Sequence, residues 1–133
     1  MTVSMTVRDN CLVVRAWGAV TVDQVFVSLD RLIDEGQVGA GMDRLIILER
    51  TARLDGFTFE ALRQMRARMH AFEVEHGRRP RYRIAIVAVE PAHRGLASLY
   101  RALWSTVPDA RVKVHVTDDV ARAEAWLGLT DGA

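Results

Sequence analysis

The chain has a single cysteine, Cys11, among 133 residues. With no partner for an internal disulfide, it fits a reducing compartment. Its neighbours Leu12, Val13 and Val14 make it a small core residue in a strand, with nothing nearby to activate a thiolate. Little charge of either sign is left over: 18 Lys and Arg face 17 Asp and Glu, a formal net charge of +1. That balance gives no global pull toward nucleic acid or an anionic membrane. Long hydrophobic runs are missing too. The longest, residues 84–89, falls far short of the roughly 20 residues that span a bilayer, and residues 1–10 hold no apolar core of signal-peptide length. These absences point to a cytoplasmic protein without a membrane span.

Several chemistries lack their residues. His70, His76, His93 and His115 fall at no metal-ligand spacing, so no metal or other cofactor is expected. No Ser, Cys or Asp stands where it would complete a nucleophilic set with a histidine. Gly36, Gly39 and Gly41 follow a helix and precede a strand, the reverse of a phosphate-cradling loop. Arg78, Arg79, Arg81 and Arg83 around Pro80 form the one basic run. With only Tyr82 for stacking and no recognition helix, it reads as a solvated turn and not a nucleic-acid site.

What is present is a good supply of core material, since half the residues are hydrophobic. A domain of this length buries roughly two-thirds of its unfolded surface and needs no staple. Val3, Met5 and Val7 alternate with polar residues as in a half-buried strand. Arg8-Asp9-Asn10 is a turn signal, and residues 11–17 complete an antiparallel hairpin. Thr21 and Gln24 form a capping box, with Val20 and Val25 placed as a hydrophobic staple. Val22, Val25, Phe26, Leu29, Leu32 and Ile33 then follow at helical spacing, up to a stop at Gly36.

Leu45-Ile46-Ile47-Leu48 is a continuous apolar run and residues 83–89 are another buried strand, as in strands covered on both faces. Between them lie a polar loop, residues 49–57, and a helix capped by Thr58. That helix points Phe59, Leu62, Met65, Met69 and Phe72 inward and ends at Gly77. Pro91 opens a third helix, whose stripe is Leu96, Leu99, Tyr100, Leu103, Trp104 and Val107, and Pro108-Asp109 closes it. Part of that stripe, with Met65 and Met69, can line an apolar pocket or face a partner. Val112, Val114 and Val116 form the last strand. Asp118 is the expected cap of a last helix facing Val120, Ala123, Trp126 and Leu127 inward.

The fold class is therefore α/β: one domain over residues 1–133, with a mixed, mostly parallel five-stranded sheet flanked by four helices in the order β-β-α-β-α-β-α-β-α.

Three stretches carry a family likeness: Gly18-Ala19-Val20-Thr21-Val22-Asp23, Arg83-Ile84-Ala85-Ile86-Val87-Ala88, and Thr117-Asp118-Asp119-Val120-Ala121-Arg122-Ala123-Glu124-Ala125-Trp126-Leu127. With their order and spacing, the whole chain resembles the STAS-like superfamily, the anti-sigma-factor-antagonist fold, in its SpoIIAA-like branch. The resemblance implies a small non-catalytic regulatory module of bacterial type that binds proteins or small ligands. Members that act as phospho-switches carry an Asp-Ser motif after the third strand. Here Asp55 is followed by Gly56, and Thr51 and Thr58 are the nearby hydroxyls. Thr58 reads first as a cap.

In sheets with parallel strands, ligands collect outside the carboxyl ends of the strands. Those ends hold Glu49, Arg50 and Thr51, with Arg53, Asp55 and Thr58 beyond them, then Glu90, His93 and Arg94, then Asp118. Helix starts there offer free amides to an anion. Singly, these residues read as solvated loop charges and caps, with His93 exposed at a helix start. Together they are the expected binding address for a protein partner or a small apolar or anionic ligand. The alternative is a small enzyme or lipid carrier on the same fold, with Glu90, His93 and Arg94 as site residues. A homodimer is a further expectation.

Overall fold

The computed structural model describes residues 2–76, 81–108 and 110–129. The Gly77 helix stop, Arg78, Arg79 and Pro80 of the basic run, and Asp109 lie outside them. The elements run β1 (Val3–Arg8), β2 (Cys11–Ala16), α1 (Val22–Asp34), β3 (Asp43–Leu48), α2 (Phe59–Glu75), β4 (Arg81–Ala88), α3 (Pro91–Ser105), β5 (Arg111–Thr117) and α4 (Val120–Leu127). This is the α/β order expected from the sequence. Both central strands begin two residues earlier than their apolar runs.

Local chemistry places each element. Asp9 and Asn10 both adopt positive φ, at 51° and 59°, which suits a two-residue hairpin turn between right-twisted strands. At the start of α1, the Gln24 amide donates to the Thr21 hydroxyl and the Gln24 side chain accepts from the Thr21 amide, closing the capping box. The Ala61 amide donates to Thr58 at the start of α2. The cap of α4 is a correction: Asp119, not Asp118, accepts from the Ala121 and Arg122 amides. Gly128 ends α4 at φ 72°, a left-handed position that favours glycine.

The sheet order is β1-β2-β3-β4-β5, with β1 antiparallel to β2 and every later pair parallel. Each crossover therefore steps the same way across the sheet. Right-handed crossovers that all step one way put their helices on one face. Accordingly, α1, α2 and α3 share a core with Met5, Leu12, Ile84 and Ile86. Among the described residues only α4, after the last strand, reaches the other face, where Ala123 and Leu127 cover Cys11, Leu45, Ile47, Ala85 and Val87. The sheet is covered on both faces, but three helices to one.

The lone helix is held by more than apolar contact. Arg83 donates to the Trp126 and Leu127 carbonyls at 2.9 and 3.0 Å, and Asp43 fixes Arg83 with hydrogen bonds of 3.1 and 2.7 Å. Glu124 pairs with Arg8, and Trp126 stacks on His115 with ring centroids 5.0 Å apart.

Three inward assignments are corrected. Val7 is 37% exposed, Phe59 54% and Val120 37%. Val7 stands near the end of the edge strand β1, and Phe59 and Val120 are each the first residue of their helix. Phe57, from the preceding loop, is buried instead, so that loop is not polar throughout.

Burial raises the Cys11 thiol from its ordinary 9.0 to about 11. Between those values the folded chain keeps a proton that the unfolded chain gives up, so stability falls as pH rises through that window. The expected loss is on the order of 2 kcal/mol. Denaturant titrations at intervals across the window should show a steeper fall in wild type than in Cys11→Val. Equal slopes in the two proteins would count against the buried thiol. Burial also raises the hydroxyls of Tyr82 and Tyr100, which adds a loss of the same sign at higher pH.

Candidate functional site

The loops at the carboxyl ends of the parallel strands do assemble, but as a roof. The turn after β2 and the loop after β3 form a short parallel bridge, Ala19 to Arg53. The Arg53 amide donates to the Gly18 carbonyl at 2.7 Å, and the Val20 amide donates to the Arg53 carbonyl at 3.1 Å. The Gly18 amide donates to the Thr51 hydroxyl. Gly18 sits at φ 61°, and a Cβ there would lie 3.3 Å from a Thr2 methyl, so this turn favours glycine on both counts.

His93 ties the roof to α3. It is 6% exposed, which corrects the expectation of an ordinary exposed histidine. Its Nε2 lies 2.8 Å from the Ala52 carbonyl, so that nitrogen carries the proton and donates. Nδ1 is buried without a partner among the described residues. The loop carbonyl draws the ring inward, and helical spacing alone could not show this.

The other site residues pair off along the rim. Glu49 takes Arg15 at 3.0 Å, Arg50 reaches Glu90 at 3.4 Å, and Arg94 reaches Asp118 at 3.6 Å. These pairs are exposed and worth little singly. Glu90 caps α3 by backbone position alone, without a side-chain bond. Arg53 and Asp55 line a surface cleft of about 420 Å³ with Thr21 and Asp23. Arg94 and Asp118 line another of about 330 Å³ with His115 and Arg122. Thr58 is occupied as a cap. Glu90, His93 and Arg94 do not converge: His93 points under the roof, Glu90 toward Arg50, and Arg94 toward Asp118.

Under the roof lies a cavity of about 100 Å³. The sheet contributes Val3, Val14, Ala16, Ile46, Leu48 and Ile86 to its wall, and the loops contribute Val20, Leu54 and Phe57. Val25, Leu62, Leu96, Ala97 and Tyr100 line it from the three helices. The wall is apolar throughout. A sheet wound in one direction has no reversal of strand order, so it has no crevice between diverging helices. Space opens instead between the sheet and the helix layer. The half-burial of Ile46 and Leu48 belongs to this cavity.

Two residues next to this region were not singled out from the sequence. Arg44 and Glu73 are buried in the same layer, 5% and 0% exposed. Each had a signal. Arg44 shares the period-two face of Ile46 and Leu48 once β3 is extended toward its start. Glu73 follows Met69 by four residues on the inward stripe of α2.

Among the described residues no group of His, Cys, Asp and Glu is placed to hold a metal ion, and no helix is long and apolar enough to cross a membrane. The chain matches no family model and no curated protein.

Proposed function

We propose that the chain is a cytoplasmic, non-catalytic STAS-like binding module that takes a small, mainly apolar ligand in the cavity between its sheet and its three-helix layer. The cavity carries this reading. Small-molecule sites are concave and mainly apolar, and this space is apolar throughout and roofed by the loops at the carboxyl ends of the strands. The rim charges add little, because they pair with one another.

The size of the cavity restricts the ligand. An apolar cavity of roughly 150 Å³ takes benzene. In proportion, about 100 Å³ takes on the order of four carbons of a ligand's apolar part. Burying them contributes about 0.8 kcal/mol per methylene, so a purely apolar occupant would bind in the millimolar range.

Ala97 lines the cavity from the first turns of α3 and is 3% exposed. Ala97→Leu would fill the cavity while leaving a good helix former in place. Titration of wild type with 3-methylbutan-1-ol, followed by amide chemical shifts, should give saturable shifts confined to the cavity wall. In Ala97→Leu those shifts should disappear, while stability stays level or rises by about 1 kcal/mol. Saturable shifts elsewhere, or undiminished ones in the variant, would overturn the reading.

A further inference from the structure

The layer between sheet and helices buries two charged side chains that are provided for differently. On α2, both Glu73 carboxylate oxygens accept from the Gly41 amide, at 2.8 and 3.0 Å. On β3, Arg44 makes no direct ion pair among the described residues, although it and the Glu73 carboxylate both act on the Tyr82 hydroxyl. Its guanidinium carbon lies 4.3 Å over the centre of the Tyr82 ring, and Nη2 is buried without a hydrogen bond. A guanidinium cannot shed its proton in a protein, so this is a permanent charge kept from water. Buried cations are normally matched by an anion.

Among the described residues, Tyr82 Oη and Trp104 Nε1 are buried without a well-formed hydrogen bond, although Arg44 faces the Tyr82 hydroxyl and Trp104 the Tyr100 hydroxyl. The Tyr82 and Trp104 rings meet edge to face at 5.8 Å, so Arg44, Tyr82 and Trp104 form one continuous stack. Arg44 and Trp104 bring only donors to it, and the Tyr82 hydroxyl can donate as well. A set of donors of this kind suits an anionic group.

The stack adjoins the cavity. Arg44 stands two residues before Ile46 on the same face of β3, and Ile46 is cavity wall. Trp104 stands one helical turn after Tyr100 on α3, and Tyr100 is cavity wall. None of the three donors is itself cavity wall, but Arg44 and Trp104 each neighbour, along their own element, a residue that is.

We propose that the ligand is a small monocarboxylate, with its chain in the cavity and its carboxylate on Arg44, Tyr82 Oη and Trp104 Nε1. The planar fork of arginine matches two carboxylate oxygens. This inference rests on the cavity being a ligand site, and it adds the acid group.

The test compares 3-methylbutanoate with 3-methylbutan-1-ol, which has the same apolar chain and no charge. Affinities are measured by chemical-shift titration on wild type, Arg44→Met, Arg44→Lys and Trp104→Phe. Wild type should bind the acid at least tenfold more tightly than the alcohol. Arg44→Met should bring the acid down to the level of the alcohol and leave the alcohol unchanged. Arg44→Lys should recover part of the difference, and Trp104→Phe should lose a few-fold on the acid alone. Should Arg44→Met not fold, the other two variants decide.

Equal binding of acid and alcohol by wild type would overturn the proposal and leave the apolar site standing, with water on the three donors. An acid preference that survives in Arg44→Met would overturn it as well. Binding of neither probe would remove both the cavity reading and the acid.

Discussion

Trp104→Ala is expected to lower stability by about 3–5 kcal/mol, much of what a domain of this kind has to lose. Trp104 is 2% exposed, the largest of the fully buried side chains. It packs edge-on against Tyr82 in the core shared by α1, α2, α3 and the sheet. The site is hemmed in by rings on two elements, so the surroundings cannot close over the vacated volume. Chemical denaturation should show the midpoint falling steeply with an unchanged slope. Trp104→Phe keeps most of the ring contact and should cost far less. A loss below about 1 kcal/mol in the alanine variant, typical of surface sites, would mean that the ring is not packed as described.

Ala123→Asp is expected to detach α4 and expose the face beneath it. Ala123 is completely buried where α4 meets the sheet. A carboxylate there has no partner, and burying it would cost several kcal/mol. Undocking one eight-residue helix avoids that cost and leaves the three-helix face intact. Cys11 reports the event, being 2% exposed in that same cluster. With a thiol reagent at neutral pH, wild type should react very slowly. The variant should react at least a hundredfold faster while keeping most of its helical circular dichroism. Cys11 staying as slow as in wild type would contradict the docking of α4. Global unfolding would show instead that the two faces do not separate.

Much of the fold is legible in short stretches of sequence. The alternation of Val3, Met5 and Val7, the apolar runs from Leu45 and Ile84, and the capping box at Thr21 each follow from neighbouring residues. The elements appear where expected, except that the alternation in β1 stops after Met5, with Val7 exposed. The failures also have local causes. Asp118 and Asp119 are adjacent and chemically equal, and the end of β5 decides which of them caps. Phe59 keeps the spacing of Leu62 but is exposed at the first position of α2, while Phe57, outside any helical stripe, turns inward.

The site was less legible than the fold. The address at the carboxyl ends was found from topology, and the cavity lies beneath it. However, the polar residues that marked the address form a rim of ion pairs, and the wall is built from residues that read as ordinary core. His93 was misread because its partner, the Ala52 carbonyl, lies 41 residues away in sequence. Arg44 escaped notice because a charged residue beside an apolar run looks like the end of a strand.

The amino-acid sequence by itself determined the kind and order of the elements and which side of each is apolar. Periodicity and capping act over a few residues and need no distant partner. Only the tertiary structure decided that three helices share one face, that space remains beneath them, and that Arg44 is buried there with no direct ion pair among the described residues while Glu73 takes the Gly41 amide. Those facts depend on how side chains from separate segments meet. Volume and partnership belong to the meeting and are carried by no segment alone.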